Sequence, residues 1–158
     1  MITYVNDGDA TRPIGDGPKV IVHVCNDIGG WGRGFVLAVS ARWPEPEMEY
    51  KKWHKSGGPL PFALGNAQFV QVEKNLWVGN MIGQRHIKPI NNIPPVRYDA
   101  IRNCLLQAAK FAQGMNATVH MPRIGCGLAM GTWDKIEPII KETLIANGLD
   151  VYVYNWSR

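Results

Sequence analysis

Residues 121–133 read Met-Pro-Arg-Ile-Gly-Cys-Gly-Leu-Ala-Met-Gly-Thr-Trp and separate two segments of different periodicity. Upstream, 117–121 is an apolar run that suits a buried strand. Downstream, Ile136, Ile139, Ile140, Thr143 and Leu144 recur at helical spacing within 134–147. A strand that passes through Gly125, Gly127 and Gly131 into a helix leaves backbone N–H groups uncrowded by side chains. Such donors, with the helix dipole behind them, suit an anion. An ordinary tight strand-to-helix turn has the same composition, and no Gly-x-x-x-x-Gly-Lys-Ser/Thr or Gly-x-Gly-x-x-Gly pattern is present.

A second stretch repeats the arrangement. Residues 20–25 form a near-continuous apolar run interrupted by His23, as in a central strand covered on both faces. The loop 26–34 follows with Gly29, Gly30, Gly32 and Gly34, and 35–43 reads as a helix that Pro44 ends. Two strands that each end in a glycine-rich loop and a helix are the arrangement of α/β proteins that bind phosphates at strand C-termini. Asn26 offers donor and acceptor to sugar hydroxyls, and ionised Asp27 offers acceptors.

The remaining elements frame these two. Residues 1–5 read as a strand, and Pro13, Gly15, Gly17 and Pro18 keep the chain irregular up to Lys19. A helix is expected over 47–55, and a hairpin over 67–72 and 76–82. The polar, proline-rich connection 83–95 carries Gln84, Arg85, His86 and Lys88, and loops of that length often border binding sites. Residues 96–113 form an amphipathic helix with Gly114 near its end; Gly148 ends the later helix, and 151–154 is a final strand. The alternation predicts one domain over 1–158, an α/β fold with three α/β/α layers around a central mixed sheet.

The 46% hydrophobic and 19% charged content is globular, without a run long enough to span a bilayer and without a leader pattern. A formal charge of +4 and a pI near 9.1 permit an anionic ligand, but no dense Lys/Arg run with interleaved aromatics marks nucleic-acid binding. Cys25, Cys104 and Cys126 are odd in number and lack C-x-x-C spacing. No metal or cofactor is expected, and reduced, buried thiols fit a cytoplasmic protein.

Taken together the residues resemble a macro domain, the ADP-ribose-binding module. Gly8-Asp9-Ala10-Thr11 is similar to that family's Gly-Asp-Ile-Thr segment, and Val20-Ile-Val-His-Val-Cys-Asn26 to its Ile-Val-Asn-Ala-Ala-Asn strand end. Gly30-Trp-Gly-Arg-Gly-Phe-Val36 stands where its first glycine loop stands. Ile2-Thr-Tyr-Val5, Met121-Pro-Arg-Ile-Gly-Cys-Gly-Leu128 and Val153-Tyr154 resemble the terminal ADP-ribose glycohydrolase branch. The resemblance implies that Asp9 accepts from the adenine amino group with Ala10 beside it, and that Asn26 sits by the distal ribose. Gly32, Arg33, Gly34 and Phe35 would close over the diphosphate from one side, and Ile124, Gly125, Cys126, Gly127 and Leu128 from the other. Tyr154 and Asn155 would border the adenine. Trp31, set among glycines, is expected as a hinged lid over the ribose, with a buried anchor as the alternative.

Catalysis does not carry over in the same way. In that branch a lysine follows the hairpin strand and an aspartate follows Gly-Cys-Gly-Leu; here those positions hold Gly83 or Gln84, and Ala129. Another hydrolase branch has an aspartate where Val36 stands. The expected function is therefore binding of ADP-ribose or an ADP-ribosyl derivative. The alternative is hydrolysis of ADP-ribose 1″-phosphate or another ADP-ribosyl linkage without a lysine, with Asp27, His23 or His86 positioning or activating water. His23 equally suits a hydrogen-bonded core residue, and Asp27 a loop cap. The expected partner is ADP-ribose or an ADP-ribosylated substrate, nucleic acid entering only as such a substrate; neither a membrane nor a second copy of the chain is expected.

Overall fold

The computed structural model describes residues 1–156. Its elements are β1 (Ile2–Asn6), β2 (Lys19–Asn26), α1 (Phe35–Ser40), α2 (Glu45–Ser56), β3 (Ala67–Glu73), β4 (Leu76–Gln84), α3 (Tyr98–Met115), β5 (Thr118–Met121), α4 (Trp133–Thr143) and β6 (Val151–Asn155). The strands form one mixed sheet in the order β1-β6-β5-β2-β4-β3, parallel throughout except for the antiparallel β3–β4 hairpin. This is the α/β architecture the sequence predicts.

Successive side chains of β2 enter opposite faces of the sheet, which explains its unbroken apolar run. Val20 and Val22 join Ile101 and Leu105 of α3 and Ile136 and Ile140 of α4 in one core. Ile21 and Cys25 join Val36 and Val39 of α1 and Tyr50 of α2 in the other. Helices therefore cover both faces, giving three layers.

Several element boundaries differ from expectation. The first helix stops at Ser40, and Pro44 caps α2 instead of merely ending its predecessor. Helix α3 runs past Gly114 to Met115, and Asn116 caps it in the left-handed region at φ 53, donating to Ala112 and Gln113 carbonyls. The helix expected over 134–147 ends at Thr143 and continues as a 3-10 turn, Ile145–Asn147, that Gly148 closes.

Five strands point the same way, so the segments after β1, β2, β4, β5 and β6 gather at one edge of the sheet. Both glycine-rich loops are among them.

Candidate functional site

The loop after β2 is built by Asn26. Its Nδ2 donates to the Gly30 carbonyl (2.9 Å), and its Oδ1 accepts from the N–H groups of Ile28 (3.1 Å) and Gly30 (2.9 Å) and from the Tyr50 hydroxyl (2.9 Å). The chain reverses there beside a register shift between Cys25 and Asn26, and buried groups at such a turn need partners. Asn26 was expected to face a ribose; most of its carboxamide instead shapes the loop, leaving one Nδ2 hydrogen. Trp31 departs further. It is only 5% exposed, donates its indole N–H to Ser40 Oγ (2.7 Å), and packs against His23 and Tyr50. The hinged lid is therefore corrected to a buried anchor: a large apolar ring with a satisfied N–H is held by the core it fills.

Past Trp31 the loop turns outward, with Gly32, Arg33 and Gly34 exposed and Phe35 half-buried. Gly34 has φ 85, and a Cβ there would lie 3.2 Å from Leu128 Cδ1. The two glycine-rich loops thus meet. On the second loop, Ile124 is sunk in the core, and the Gly125 carbonyl accepts from Gly131 N–H at 2.7 Å. That bond closes the turn and presents 126–128 at its tip. Burial raises the half-buried Cys126 thiol, so it is no ready nucleophile. Among the described residues, no acceptor takes the N–H groups of Gly32, Arg33 or Gly34 on one loop, or of Gly127 or Leu128 on the other. Two cavities of about 370 and 490 Å³ lie elsewhere, one lined by Met1, Tyr4 and Glu137 and one by Trp53, Leu60 and Phe69; neither includes a residue of these loops.

At the β1–β6 end, Asp9 Oδ1 accepts from Thr11 N–H (2.8 Å) and Thr11 Oγ1 (2.7 Å), and Arg42 Nε donates to the same Thr11 hydroxyl (2.9 Å). Its other oxygen stays available to a donor. Ala10 is buried beside it. Tyr154 is only 2% exposed; its hydroxyl accepts Ile14 N–H (2.9 Å) and pairs with His120 Nδ1 (2.7 Å). Its role is to tether the loop after β1 more than to present a surface. Asn155 Oδ1 accepts from Arg123 Nε (2.7 Å), and Asn155 Nδ2 donates to Asn6 Oδ1 (3.0 Å). Arg123 also lies over the rings of Trp133 and Tyr4, 5.0 and 5.5 Å from their centroids. Thr11, Arg42, Tyr50, His120 and Arg123 were not foreseen as site-shaping residues. Arg42, Tyr50, His120 and Arg123 act through partners distant in the chain, which no local pattern signals. Thr11 instead bonds Asp9 two residues away, a turn that the Asp-x-Thr spacing could have signalled.

Of the three candidate catalytic groups, His23 stands apart from Asp27 and His86, which adjoin. His23 is 1% exposed, its Nε2 paired with Asn80 Oδ1 (2.7 Å), and burial pulls its pKa down to about 4. It is a core residue, out of reach of a substrate, because the aromatic rings of Trp31 and Phe35 close over it. Asp27 joins the ends of β2 and β4: its Oδ1 accepts His86 N–H (2.7 Å), and its Oδ2 lies 3.5 Å from Arg85. His86 is half-buried at the same edge, with φ 63. Of the two aligned lysine positions, Gly83 has no room for a side chain, since a Cβ would meet Ile101 at 2.7 Å. Gln84 donates its Nε2 to the His86 carbonyl (3.0 Å), and Ala129 is buried. Cys25 and Cys104 are buried free thiols as expected, whereas Cys126 is half-buried. No helix among the described residues is long and apolar enough to cross a membrane.

No family model matches the sequence. The chain is similar to the mouse chromodomain-helicase-DNA-binding protein 1-like, at 29% identity over 99% of this chain, but it spans only 18% of that protein's length. An uncharacterized 17.5 kDa protein of phage T4 is 34% identical, with 99% of this chain and 97% of that one covered. The ADP-ribose 1″-phosphate phosphatase of Candida albicans is 22% identical over 90% of this chain and 93% of its own. Among solved structures, a Bacteroides thetaiotaomicron protein of unknown function superposes with a TM-score of 0.93 at 56% identity, covering 98% of this chain and 97% of that one. A macrodomain protein from Streptomyces coelicolor superposes at 0.87 with 50% identity, covering 98% and 99%. Thermosipho africanus DarTG, solved in complex with ADP-ribose, shares the fold at 0.69 with 19% identity, over 85% of this chain and 37% of that one.

Proposed function

Because the chain belongs to the macrodomain family, we propose that it binds ADP-ribose or an ADP-ribosyl derivative along the sheet edge where its two glycine-rich loops meet. The adenine lies at the β1–β6 end, its amino group on the free oxygen of Asp9, with Ala10, Tyr154 and Asn155 around it. The diphosphate lies between 32–35 and 124–128. The distal ribose reaches the ends of β2 and β4, near Asn26 and Asp27. Backbone donors suit a buried diphosphate because charge-assisted bonds offset its desolvation without bulky cations in the cleft. One observation carries this reading: the two loops lie side by side, a Cβ on Gly34 falling 3.2 Å from Leu128 Cδ1, and among the described residues the neighbouring N–H groups on both loops have no acceptor. Calorimetry with ADP-ribose is the test, and absence of heat up to millimolar ligand overturns it.

The lysine and aspartate of the glycohydrolase branch have no counterpart in Gly83, Gln84 and Ala129, which favours binding or sequestration over a lysyl covalent route. A cytoplasmic monomer is part of the same reading. A second reading is favoured by the likeness to the Candida albicans phosphatase: hydrolysis of ADP-ribose 1″-phosphate. There water would add its oxygen to phosphorus, the phosphorus bond to the 1″ oxygen would break, and the proton from water would pass to that oxygen. Incubation with ADP-ribose 1″-phosphate and with ADP-ribosylated glutamate, serine and nucleic acid, read by mass spectrometry, separates the two. No product after hours leaves binding alone.

A further inference from the structure

Among the described residues, one buried side-chain nitrogen or oxygen has no hydrogen-bond partner: His86 Nδ1. Such atoms are rare because leaving them unpaired is costly, and they persist where the surrounding structure imposes them. The imposition here is visible in the backbone. At φ 63 His86 sits in the left-handed region, which a residue with a Cβ enters only at a cost. Two polar side chains from adjacent strand ends hold it there. Asp27 Oδ1 accepts its N–H at 2.7 Å, and Gln84 Nε2 donates to its carbonyl at 3.0 Å. The combined effect is to fix the backbone that carries the imidazole, at the edge between β2 and β4.

The buried Nδ1 also decides the tautomer. An enclosed N–H without an acceptor is disfavoured more than an enclosed lone pair without a donor, so the neutral ring carries its proton on Nε2. Among the described residues Nε2 has no partner, and it is not enclosed as Nδ1 is, so its N–H is open to a ligand. We infer that His86 presents a fixed Nε2–H donor to an oxygen at the distal-ribose end of the ligand, either a ribose hydroxyl or the 1″ substituent. It acts as a positioning residue: a nitrogen that already carries the proton does not take one from water. The ligand half of this inference rests on the ADP-ribose reading above; the tautomer half does not.

The test has two arms. Long-range 1H–15N correlation on the free protein should show a pyrrole-like Nε2 and a pyridine-like Nδ1 for the neutral ring of His86. Calorimetry then compares ADP-ribose with AMP, which lacks the distal ribose, for the wild type, His86→Asn and His86→Gln. Asparagine tolerates the left-handed backbone but reaches only the Nδ1 position, whereas glutamine reaches that of Nε2. The expected result is about tenfold weaker ADP-ribose binding by His86→Asn, the worth of one hydrogen bond. AMP binding should be unchanged, and His86→Gln should recover most of the loss. A pyrrole-like Nδ1, or wild-type ADP-ribose affinity in His86→Asn, overturns the inference while the ADP-ribose reading stands. If the wild type binds no ADP-ribose, that reading fails and takes the ligand contact with it, and the tautomer is judged by the spectrum alone.

Discussion

Two enclosed imidazoles make this fold sensitive to mild acid. Burial lowers the pKa of His120 to about 3, with a smaller push from Lys19, and burial lowers that of His23 to about 4 against its bond to Asn80. In the unfolded chain both return to the ordinary value of about 6.5. Below that value the unfolded state binds protons that the folded state refuses, so stability falls with decreasing pH, down to the folded values. Each ring contributes a slope of up to about 1.4 kcal/mol per pH unit. Between pH 7 and 5 the pair together removes about 4 kcal/mol, a large part of the ~5–15 kcal/mol typical of a domain. Glu47 and Glu137 do not mask this. Lys51 and Tyr4, respectively, hold their carboxyls below the usual range, so their contribution is lost only as pH falls further. Urea unfolding from pH 7 to 5 should show the fall, and unfolding at pH 5 should take up about two protons at these rings. His120→Gln, which keeps an amide between Thr118 and Tyr154, should take up about one proton fewer. Stability that stays within about 1 kcal/mol over this range would refute the argument.

Three further perturbations probe the frame of the site. Tyr154→Phe strips the hydroxyl shared by His120 Nδ1 and Ile14 N–H; a loss of about 2–4 kcal/mol in urea is expected. An unchanged midpoint would mean that the loop after β1 is held by other contacts. Gly131→Ala places a Cβ 2.4 Å from the Gly125 carbonyl oxygen, so the turn must open. Stability should fall by about 1–3 kcal/mol and ADP-ribose affinity by more than about tenfold, whereas Gly127→Ala, with open space at its Cβ, should leave stability alone. Trp31→Ala empties the core between His23 and Tyr50 and should cost about 3–5 kcal/mol by denaturant melt; a loss below about 1 kcal/mol would restore the lid.

Much of this molecule was legible along the chain because its strongest determinants are periodic. The apolar run at 20–25, the helical spacing at 101, 105, 108 and 112, and glycines placed after strands are all local patterns, and they yield the α/β order and both loops. Local patterns are silent about which face of a loop points inward. Trp31 and Asn26 have the composition of ligand contacts, yet the fold commits them to the core and to the turn, because Tyr50 arrives there from α2 and Ser40 folds back from the end of α1. The same holds for the enclosed Nδ1 of His86 and for the tether from His120 through Tyr154 to Ile14. The sequence alone determined the elements and where the flexible backbone lies, since these follow from nearest neighbours. Only the tertiary structure decided which polar atoms are already satisfied and which remain for a ligand, since hydrogen-bond satisfaction depends on groups brought together across the whole sheet.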